Sequence, residues 1–379
     1  MKSDAFPLVS IVIINYNGLK WLEKCLQSIT ATKYPTFEII LVDNASSDNS
    51  VAYVQLKYPE VKLIAHERNL GYANGVNYAI SKCKGNFIAV LNNDVKVDPF
   101  WLENLMKVIL QDEKIGIVTP KKRLLSDPRF LDGAGGVQNI FGYGWDRGQC
   151  ELDNGSYDEI TEVLHPPGAA FVIQRKLVDI YGFLLNPDFF YLFEDADLGL
   201  RCWLAGYKVV YVPDSVVYHA RGPSVGAYSY RTSKLMDTHV LASYFEVFGL
   251  RFMAKFFPLF FMVRFFHGLL YLKAKRDPTR LLALLSAIFV FLSNFPRYAS
   301  MKHIVNRKRA VDSYVLLDHF SEEIAITPFL FPHVSKLKKF LQLTGLYIKY
   351  VIKVTPIRKI WKFNEDKFKY IHHKPLDEN

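Results

Sequence analysis

The chain has 379 residues, half of them apolar, which is enough for a large core and about two domains. Its four cysteines form no C-x-x-C pair, which argues against a zinc knuckle or a disulfide framework and favours a reducing cytoplasm. No signal peptide is expected, because no basic stretch precedes the first apolar segment and no small-residue cleavage site follows it.

The net charge of +10 is unevenly distributed along the chain. Residues 231–379 hold 25 Lys and Arg against 11 Asp and Glu, a net charge of +14, whereas residues 1–230 hold 22 against 26, a net charge of −4. An acidic half followed by a basic half indicates that the basic part meets an anionic surface.

The first half alternates apolar runs of strand length with helical patterns. Strands are predicted at residues 9–14, 38–42, 61–65, 86–91, 115–119 and 209–212. Helices are predicted at residues 19–30, 47–57, 72–83, 100–111 and from 194 onward. This series, with its continuous Val and Ile runs, predicts an α/β domain with a mostly parallel sheet and flanking helices.

Polar residues follow four of the predicted strands. They are Asn15, Tyr16 and Asn17; Asp43 and Asn44; His66, Arg68 and Asn69; and Asn92, Asn93 and Asp94. Ligands of open parallel sheets bind outside the carboxyl ends of the strands, so these residues predict a ligand cleft. The alternative for each group is ordinary: helix capping at residues 43–48 and a simple turn at residues 92–94.

The same strand ends constrain the identity of the ligand. The sequence N-Y-N-G-L-K after the first strand is neither the glycine fingerprint of dinucleotide folds nor a P-loop. A lone Asp94 after two asparagines suits Mg²⁺ or Mn²⁺, which use only one or two protein carboxylates when phosphate supplies other oxygens. The predicted ligand is therefore a metal-bound diphosphate.

A second acidic cluster, E-D-A-D, begins the predicted helix at residue 194 among aromatic residues. Glu194, Asp195 and Asp197 lie where the helix dipole favours negative charge. A partly desolvated cluster of this kind raises a carboxylate pKa toward use as a base. His219 follows the strand at 209–212. Helix capping by the aspartates and a packed or surface histidine are the alternatives.

Six collinear motifs within residues 8–225 resemble the inverting nucleotide-sugar glycosyltransferases with the GT-A fold, and most of all their rhamnosyltransferase-like bacterial members. The motifs are S-I-V-I-I-N-Y-N from residue 10, L-V-D-N-A-S-S-D-N-S from residue 41, N-L-G-Y-A-N-G-V-N from residue 69, L-N-N-D-V from residue 91, G-A-A-F-V-I from residue 168 and F-E-D-A-D-L-G-L-R from residue 193. The resemblance implies a Rossmann-like GT-A domain.

The resemblance also implies which residues bind the donor. The nucleotide contacts would be Asn15, Asn17, Asp43, Asn69, Gly71, Asn74 and Asn93. Among these, Asp43 would accept from the pyrimidine base. Asp94 keeps the last position of the family's D-x-D metal motif, whose first position is Asn92 here. His219 matches a histidine that completes the metal shell in some members.

The implied reaction moves a sugar, rhamnose first, from dTDP-rhamnose or a UDP-sugar to a lipid-linked or polysaccharide acceptor in cell-surface glycan synthesis. In an inverting transfer the acceptor hydroxyl attacks opposite the leaving nucleoside diphosphate, so one carboxylate must take its proton. Asp195 would be that base, with Glu194 and Asp197 as supporting acidic residues. Mg²⁺ or Mn²⁺ at Asp94 would stabilise the leaving group.

Residues 231–379 form a second predicted region, basic and rich in aromatic residues. Its longest uncharged run, 281–295, falls short of the roughly 20 apolar residues that a spanning helix needs. Helices lying in the interface at the cytoplasmic face of an anionic membrane are predicted, which makes the protein peripheral or monotopic. A helical subdomain packed on the enzyme is the alternative. No nucleic-acid module accompanies the Lys-rich tail at 336–374, so no nucleic-acid partner is expected.

Two other functions share parts of this pattern. A sugar nucleotidyltransferase is expected to have a basic, glycine-rich loop after the first strand, where this chain has N-Y-N. A non-catalytic assembly scaffold is disfavoured by the intact Asp94, Asp195 and His219. The sequence thus predicts a catalytic domain at 1–230 and a membrane-docking region at 231–379.

Overall fold

The computed structural model describes residues 6–221, 229–321, 323–326 and 359–362. The chain divides into two compact units. The first contains Met1–Gly136 and Asp146–Gly222, and the second contains Val137–Trp145 and Pro223–Asn379. The predicted division at residue 230 assigns residues 137–145 to the first domain, whereas the structure groups them with the second unit.

The first unit is built on a ten-stranded sheet whose centre is parallel. Strand β1 (Val9–Asn15) lies between β2 (Phe37–Asp43) and β4 (Phe87–Asn92), with β3 (Lys62–Ala65) next to β2. All seven residues of β1 are buried, as expected of a strand covered on both faces. The predicted α/β architecture with a mostly parallel sheet is confirmed.

The rest of this sheet introduces antiparallel strands. Strand β11 (Ala170–Gln174) runs antiparallel between β4 and β6 (Ile115–Leu124). Strand β12 (Lys208–His219) is parallel to β6 and antiparallel to β5 (Val95–Val97). Strand β7 (Leu131–Gly133) pairs with β6, and strand β10 (Thr161–Glu162) pairs with β12. Since β12 extends well beyond the predicted strand at 209–212, it carries His219 to β5.

Helices cover both faces of the sheet. They are α1 (Leu19–Thr30), α2 (Ser50–Lys57), α3 (Tyr72–Ile80), α4 (Trp101–Ile109), α5 (Arg175–Tyr181) and α6 (Glu194–Leu204). Helix α1 buries Leu22, Leu26 and Ile29, which share one face at spacings of four and three. Helix α2 begins later than predicted because Asp48 accepts a hydrogen bond from Ser50 N and holds the preceding residues in a turn.

The second unit is mainly helical. It contains α7 (Tyr230–Phe248), α8 (Leu250–Lys275), α9 (Thr279–Ser293), α10 (Phe295–Arg307) and a 3₁₀ helix (Ser313–His319). Strands β13 (Glu323–Ile326) and β14 (Lys359–Lys362) pair in parallel, and β8 (Gly136–Gln138) pairs with β9 (Gly144–Asp146). Apart from β14, the predicted Lys-rich tail at 336–374 lies outside the described residues.

Helix α8 differs from the expectation for this region. Within the described residues it is the one helix long and apolar enough to cross a membrane, while α9 and α10 meet that test only as a pair bent by 70°. Lys255 and Arg264 interrupt the apolar residues of α8, so its longest uncharged run is shorter than the one at 281–295. Arg264 Nε lies 3.1 Å from Asp237 Oδ1, and both side chains are buried. Half of the apolar part of α8 is buried in the protein.

Candidate active site

Asn15 and Asp43 end the neighbouring strands β1 and β2 and contact each other. Asn15 Nδ2 donates to Asp43 Oδ2 at 2.7 Å, and Asp43 also accepts from the backbone N and Oγ of Ser46 at 2.8 and 2.7 Å. A carboxylate has about four acceptor positions; two of them accept from Ser46 and hold the turn after β2, and a third accepts from Asn15 on β1. Asp43 is only 1% exposed, and its contact with a nucleotide base stays a prediction.

Asn93 ties the loop after β4 to the same strand ends. Its Nδ2 donates to Asn15 Oδ1 at 2.6 Å. Gly18 lies against both amides, and a Cβ at this position would overlap them, so a larger residue would displace these side chains. Asn17, in the left-handed region at φ 51°, accepts from Ser47 N at 2.7 Å. These asparagines therefore form a connected rim along the carboxyl ends of β1, β2 and β4.

Asn69, Gly71 and Asn74 shape the loop between β3 and α3. Asn69 Oδ1 accepts from Gly71 N at 2.8 Å, and Asn74 Nδ2 donates to Pro187 O at 3.2 Å. Gly71 has φ +82° and packs against Phe190, so a side chain here would be strained and would clash. The observed contacts of these residues hold the loop, and their contact with a nucleotide stays a prediction.

Asp94 and His219 come together beside the β5–β12 pair. Asp94 Oδ1 lies 3.3 Å from His219 Nε2, and Ala220 N donates to Asp94 O at 3.0 Å. On the other side of the ring, His219 Nδ1 lies 3.0 Å from Asp132 Oδ2. Burial disfavours the imidazolium, but the carboxylates of Asp94 and Asp132 outweigh burial and raise the pKa of His219 to about 9.

The chemistry of these donors fits a divalent cation. A carboxylate oxygen and an imidazole nitrogen converge at Asp94 and His219, and Asn92 Oδ1 is buried with no hydrogen-bond partner among the described residues. Among residues 6–221 and 229–321, no group of three or more His, Cys, Asp or Glu is arranged to hold a metal ion by itself. A cation here would therefore complete its shell with water and with oxygens of a bound diphosphate.

Asp195 begins α6 with both carboxylate oxygens held by backbone N–H groups. Oδ1 accepts from Ala196 N at 2.7 Å, and Oδ2 accepts from Gly168 N at 3.0 Å. The side chain remains 27% exposed, which leaves it accessible to a substrate. The left-handed conformation of Phe193, at φ 72°, turns the chain into α6 immediately before this cluster. Asp195 therefore has a fixed orientation and an open side.

Tyr72 links the two acidic sites. Its hydroxyl donates to Gly168 O at 3.0 Å, and Asn92 N donates to the neighbouring Ala169 O at 3.0 Å. Burial and three nearby carboxylates raise the pKa of Tyr72 well above its ordinary value. Those carboxylates belong to Glu194, Asp195 and Asp94. Although Asp94 and Asp195 are far apart in the sequence, they thus face one region around Tyr72.

The other acidic residues of the cluster have different environments. Burial and the charge of Asp195 raise the pKa of Glu194 to about 8, so its carboxyl group is neutral at pH 7. Glu194 Oε2 is buried and has no hydrogen-bond partner in the part of the chain that the structure describes. Asp197 is fully buried and pairs with Arg201 Nε at 2.7 Å. Its carboxylate neutralises Arg201 in the interior, and a supporting role of Asp197 in the reaction stays a prediction.

Sequence reasoning missed three residues near these groups: Tyr72, Asp132 and His165. His165 Nδ1 lies 4.0 Å from Asp195 Oδ2, and its Nε2 is buried without a partner among the described residues. Tyr72 could have been noticed, because it stands in the N-L-G-Y stretch after a predicted strand. Asp132 and His165 lie in segments without a recognisable pattern, so only the folded contacts reveal them.

Comparison with known families agrees with this fold. The family described as glycosyl transferase family 2 matches residues 10–132, and the one described as glycosyl transferase family group 2 matches residues 149–295. The protein is therefore a glycosyltransferase with the GT-A fold. Within that class, residues 10–132 match the model of glycosyl transferase family 2.

Individual relatives are similar at low identity. An uncharacterized protein of Sinorhizobium fredii, y4gI, is 30% identical over 239 residues, which cover 59% of this chain but only 25% of the relative. The N-acetylglucosaminyl-diphospho-decaprenol L-rhamnosyltransferase of Mycobacterium tuberculosis is 26% identical over 254 residues, covering 59% of this chain and 78% of the relative. The crystal structure of GalNAc-T7 with UDP, GalNAc and Mn²⁺ shares the fold, with a TM-score of 0.50, 19% identity and coverage of 64% of this chain and 51% of that one.

Proposed function

We propose that this protein is an inverting glycosyltransferase that moves a sugar from a pyrimidine nucleoside diphosphate to a lipid-linked or polysaccharide acceptor. The observation that carries the proposal is that two acidic sites meet at the Gly168–Ala169 backbone. Asp195 accepts from Gly168 N, and Asn92, two residues before Asp94 with its partner His219, donates to Ala169 O. An inverting transfer needs these two functions, because one face of the sugar loses the nucleotide while the acceptor attacks the other.

Asp195 acts as the general base in this proposal. Gly168 N and Ala196 N fix its carboxylate, which can then take the proton from the acceptor hydroxyl as that oxygen attacks the anomeric carbon. Glu194 holds its own proton at pH 7, so it adds no second negative charge beside the base. Tyr72 contributes a neutral hydroxyl that fixes the backbone of Gly168.

Asp94 and His219 are the proposed ligands of Mg²⁺ or Mn²⁺. When bound, the cation would neutralise the charge that develops on the leaving nucleoside diphosphate. A metal-dependent donor site is supported by the donor set itself and by the GalNAc-T7 structure of the same fold, which holds UDP and Mn²⁺. The chain's own contribution is to hold two donor atoms 3.3 Å apart at the ends of β4 and β12.

The proposed donor is dTDP-rhamnose first and a UDP-sugar second. The mycobacterial relative named as an N-acetylglucosaminyl-diphospho-decaprenol L-rhamnosyltransferase supports both the sugar and a lipid-linked acceptor. A remaining acceptor position on Asp43 suits the N–H of a thymine or uracil ring. Calorimetry with UDP, dTDP and GDP tests the donor class. Tight binding of GDP alone would contradict it.

The second unit is proposed to dock on the cytoplasmic face of an anionic membrane. Helices α8 and α9 expose apolar side chains at helical spacing. They are Met262, Phe265 and Leu269 on α8, and Leu282, Leu285, Phe289 and Leu292 on α9. Lys273, Lys275 and Arg276 are exposed at the turn between these helices. Interfacial helices combine an apolar face with basic residues in this way, and each Lys or Arg near anionic lipid contributes about 1 kcal/mol.

Two experiments test the activity and the docking separately. Incubating the purified protein with dTDP-rhamnose or UDP-sugars should release the nucleoside diphosphate by slow hydrolysis without any membrane; a non-catalytic scaffold would release none.

Liposome flotation at low salt should recover the full-length protein with anionic vesicles, and a Leu285→Ser/Phe289→Ser variant should float less. Leu56→Ser, which alters an exposed leucine of the first unit, is the matched control. Equal flotation of both variants would contradict docking through α9.

A further inference from the structure

Asp132 stands behind His219 and makes several contacts with charged groups. Its Oδ2 lies 3.0 Å from His219 Nδ1 and 3.2 Å from Lys122 Nζ, while Arg221 Nε contacts Oδ1. Asp132 is 1% exposed, so its charge is almost entirely surrounded by these partners. Lys122 is also held by Asp146 Oδ2 at 2.7 Å.

These contacts rest on paired strands. Lys122 lies on β6, Asp132 lies on β7, which pairs with β6, and His219 lies on β12, which pairs with β6 on the other side. Side chains that project from paired strands are held more rigidly than side chains on loops. Asp132 therefore has little freedom to move away from His219.

The hydrogen bond determines which nitrogen of His219 carries its proton. An ionised carboxylate can only accept, so His219 Nδ1 must donate to Asp132. When a cation displaces the proton on Nε2, the proton on Nδ1 stays with Asp132, and Nε2, which lies 3.3 Å from Asp94 Oδ1, supplies its lone pair. A carboxylate behind a histidine orients metal-bound imidazoles in many proteins by this same geometry.

We propose that Asp132 is a positioning residue that fixes the orientation and tautomer of His219, so that Nε2 and Asp94 together present a ready site for the divalent cation. This inference rests on the proposed metal-dependent donor site. Lys122 and Arg221 keep Asp132 ionised and in place. Without Asp132, His219 is free to rotate and its ring nitrogens are no longer distinguished by a partner.

Equilibrium binding of Mn²⁺ tests the inference without measuring turnover. In the presence of UDP, binding is followed from the electron paramagnetic resonance signal of free Mn²⁺. Asp132→Asn should weaken Mn²⁺ binding about 10- to 100-fold, the usual effect of removing such a partner. Asp146→Asn is the matched control, since it removes another partner of Lys122 and does not contact His219, and it should stay within about threefold of wild type.

A double-variant comparison separates positioning from a purely structural role. If Asp132 acts through His219, then Asp132→Asn should cause no further loss of Mn²⁺ affinity in a His219→Gln protein. Wild-type affinity in Asp132→Asn, with weakened binding in His219→Gln, would overturn this inference and leave the proposed metal site intact. Wild-type affinity in His219→Gln would overturn both.

A measurement on the unaltered protein covers the case in which Asp132→Asn does not fold. Long-range ¹H–¹⁵N NMR of ¹⁵N-histidine-labelled protein with Mg²⁺ and UDP reports the tautomer of each ring, and the His219→Gln spectrum identifies the His219 signals. The inference requires a proton on Nδ1. A proton on Nε2 instead would overturn it.

Discussion

Replacing Glu194 with glutamine should change how the stability of the protein depends on pH. Folding raises the pKa of this carboxyl group from 4.5 to about 8, because it is buried beside Asp195. Between these values the folded protein keeps a proton that the unfolded chain has lost. The free energy of unfolding of the wild type therefore falls as pH rises, by about 1.4 kcal/mol per unit from this group.

The expected difference is large enough to measure. Glutamine has the shape of the protonated acid and no proton to lose, so Glu194→Gln escapes this fall. Relative to wild type, the variant should gain about 4 kcal/mol in free energy of unfolding between pH 5 and pH 8, as an upper bound. Most of this change should occur below pH 8, because there the folded wild type keeps the Glu194 proton that its unfolded chain has lost.

Urea unfolding at pH 5, 6, 7 and 8 provides the assay. Glu60→Gln, an exposed position, serves as the matched control and should differ from wild type by a constant amount. A constant difference between wild type and Glu194→Gln across this range would refute the argument, and Glu194 would then be ionised in the folded protein at neutral pH.

Three further substitutions separate the roles of the acidic residues. Asp195→Asn should lose about 10²- to 10⁴-fold in transfer rate while calorimetry still detects nucleotide binding, and near-normal turnover would remove its assignment as the base. Asp94→Ala should abolish the Mn²⁺-dependent part of UDP binding. Equal UDP affinity of the wild type with and without Mn²⁺ would contradict the proposed metal site at Asp94. Asp197→Asn should destabilise the protein by about 3–5 kcal/mol in urea unfolding, because it leaves the Arg201 charge buried and unpaired. Asp197→Leu/Arg201→Met should recover much of that loss, and an equal loss in both proteins would show that packing, not charge, is responsible.

The strands and their polar ends were predictable because a buried parallel strand has a strong local signal. Continuous Val and Ile runs define β1, β2 and β4, and the residue after each run must lie at the carboxyl edge of the sheet. Asn15 and Asp43 are found at that edge, and Asp94 follows β4 in the next turn. The position of these three residues at one edge of the sheet therefore follows from sequence order and strand direction alone.

The contacts behind the site were not predictable, because they join residues that no local pattern connects. Asp132 and His219 meet through two separate strand pairings with β6. Asp197 and Asp195 look alike in the E-D-A-D sequence, but the helix turns Asp197 inward to Arg201 and leaves Asp195 partly exposed. Only the direction of each side chain in the folded helix distinguishes a candidate base from a buried ion pair.

The length of α8 is hidden in the sequence for a different reason. Charged residues were counted as interruptions of an apolar run, whereas Arg264 is paired with Asp237 inside the second unit. A buried ion pair removes the charge from the helix surface and lets the apolar helix continue past it. The joining of Val137–Trp145 to the same unit was equally invisible, since its nine residues carry no helical pattern.

The anomeric configuration of the product tests the central claim most directly. Wild-type protein and Asp195→Asn would be incubated with dTDP-rhamnose or a UDP-sugar, Mn²⁺ and a lipid-linked acceptor, and the new linkage would be followed by proton NMR. The account predicts a linkage of opposite configuration to the donor in the wild type, and little or no product from Asp195→Asn despite retained nucleotide binding. A product with the donor's configuration, or wild-type rates from Asp195→Asn, would contradict an inverting transfer with Asp195 as the base.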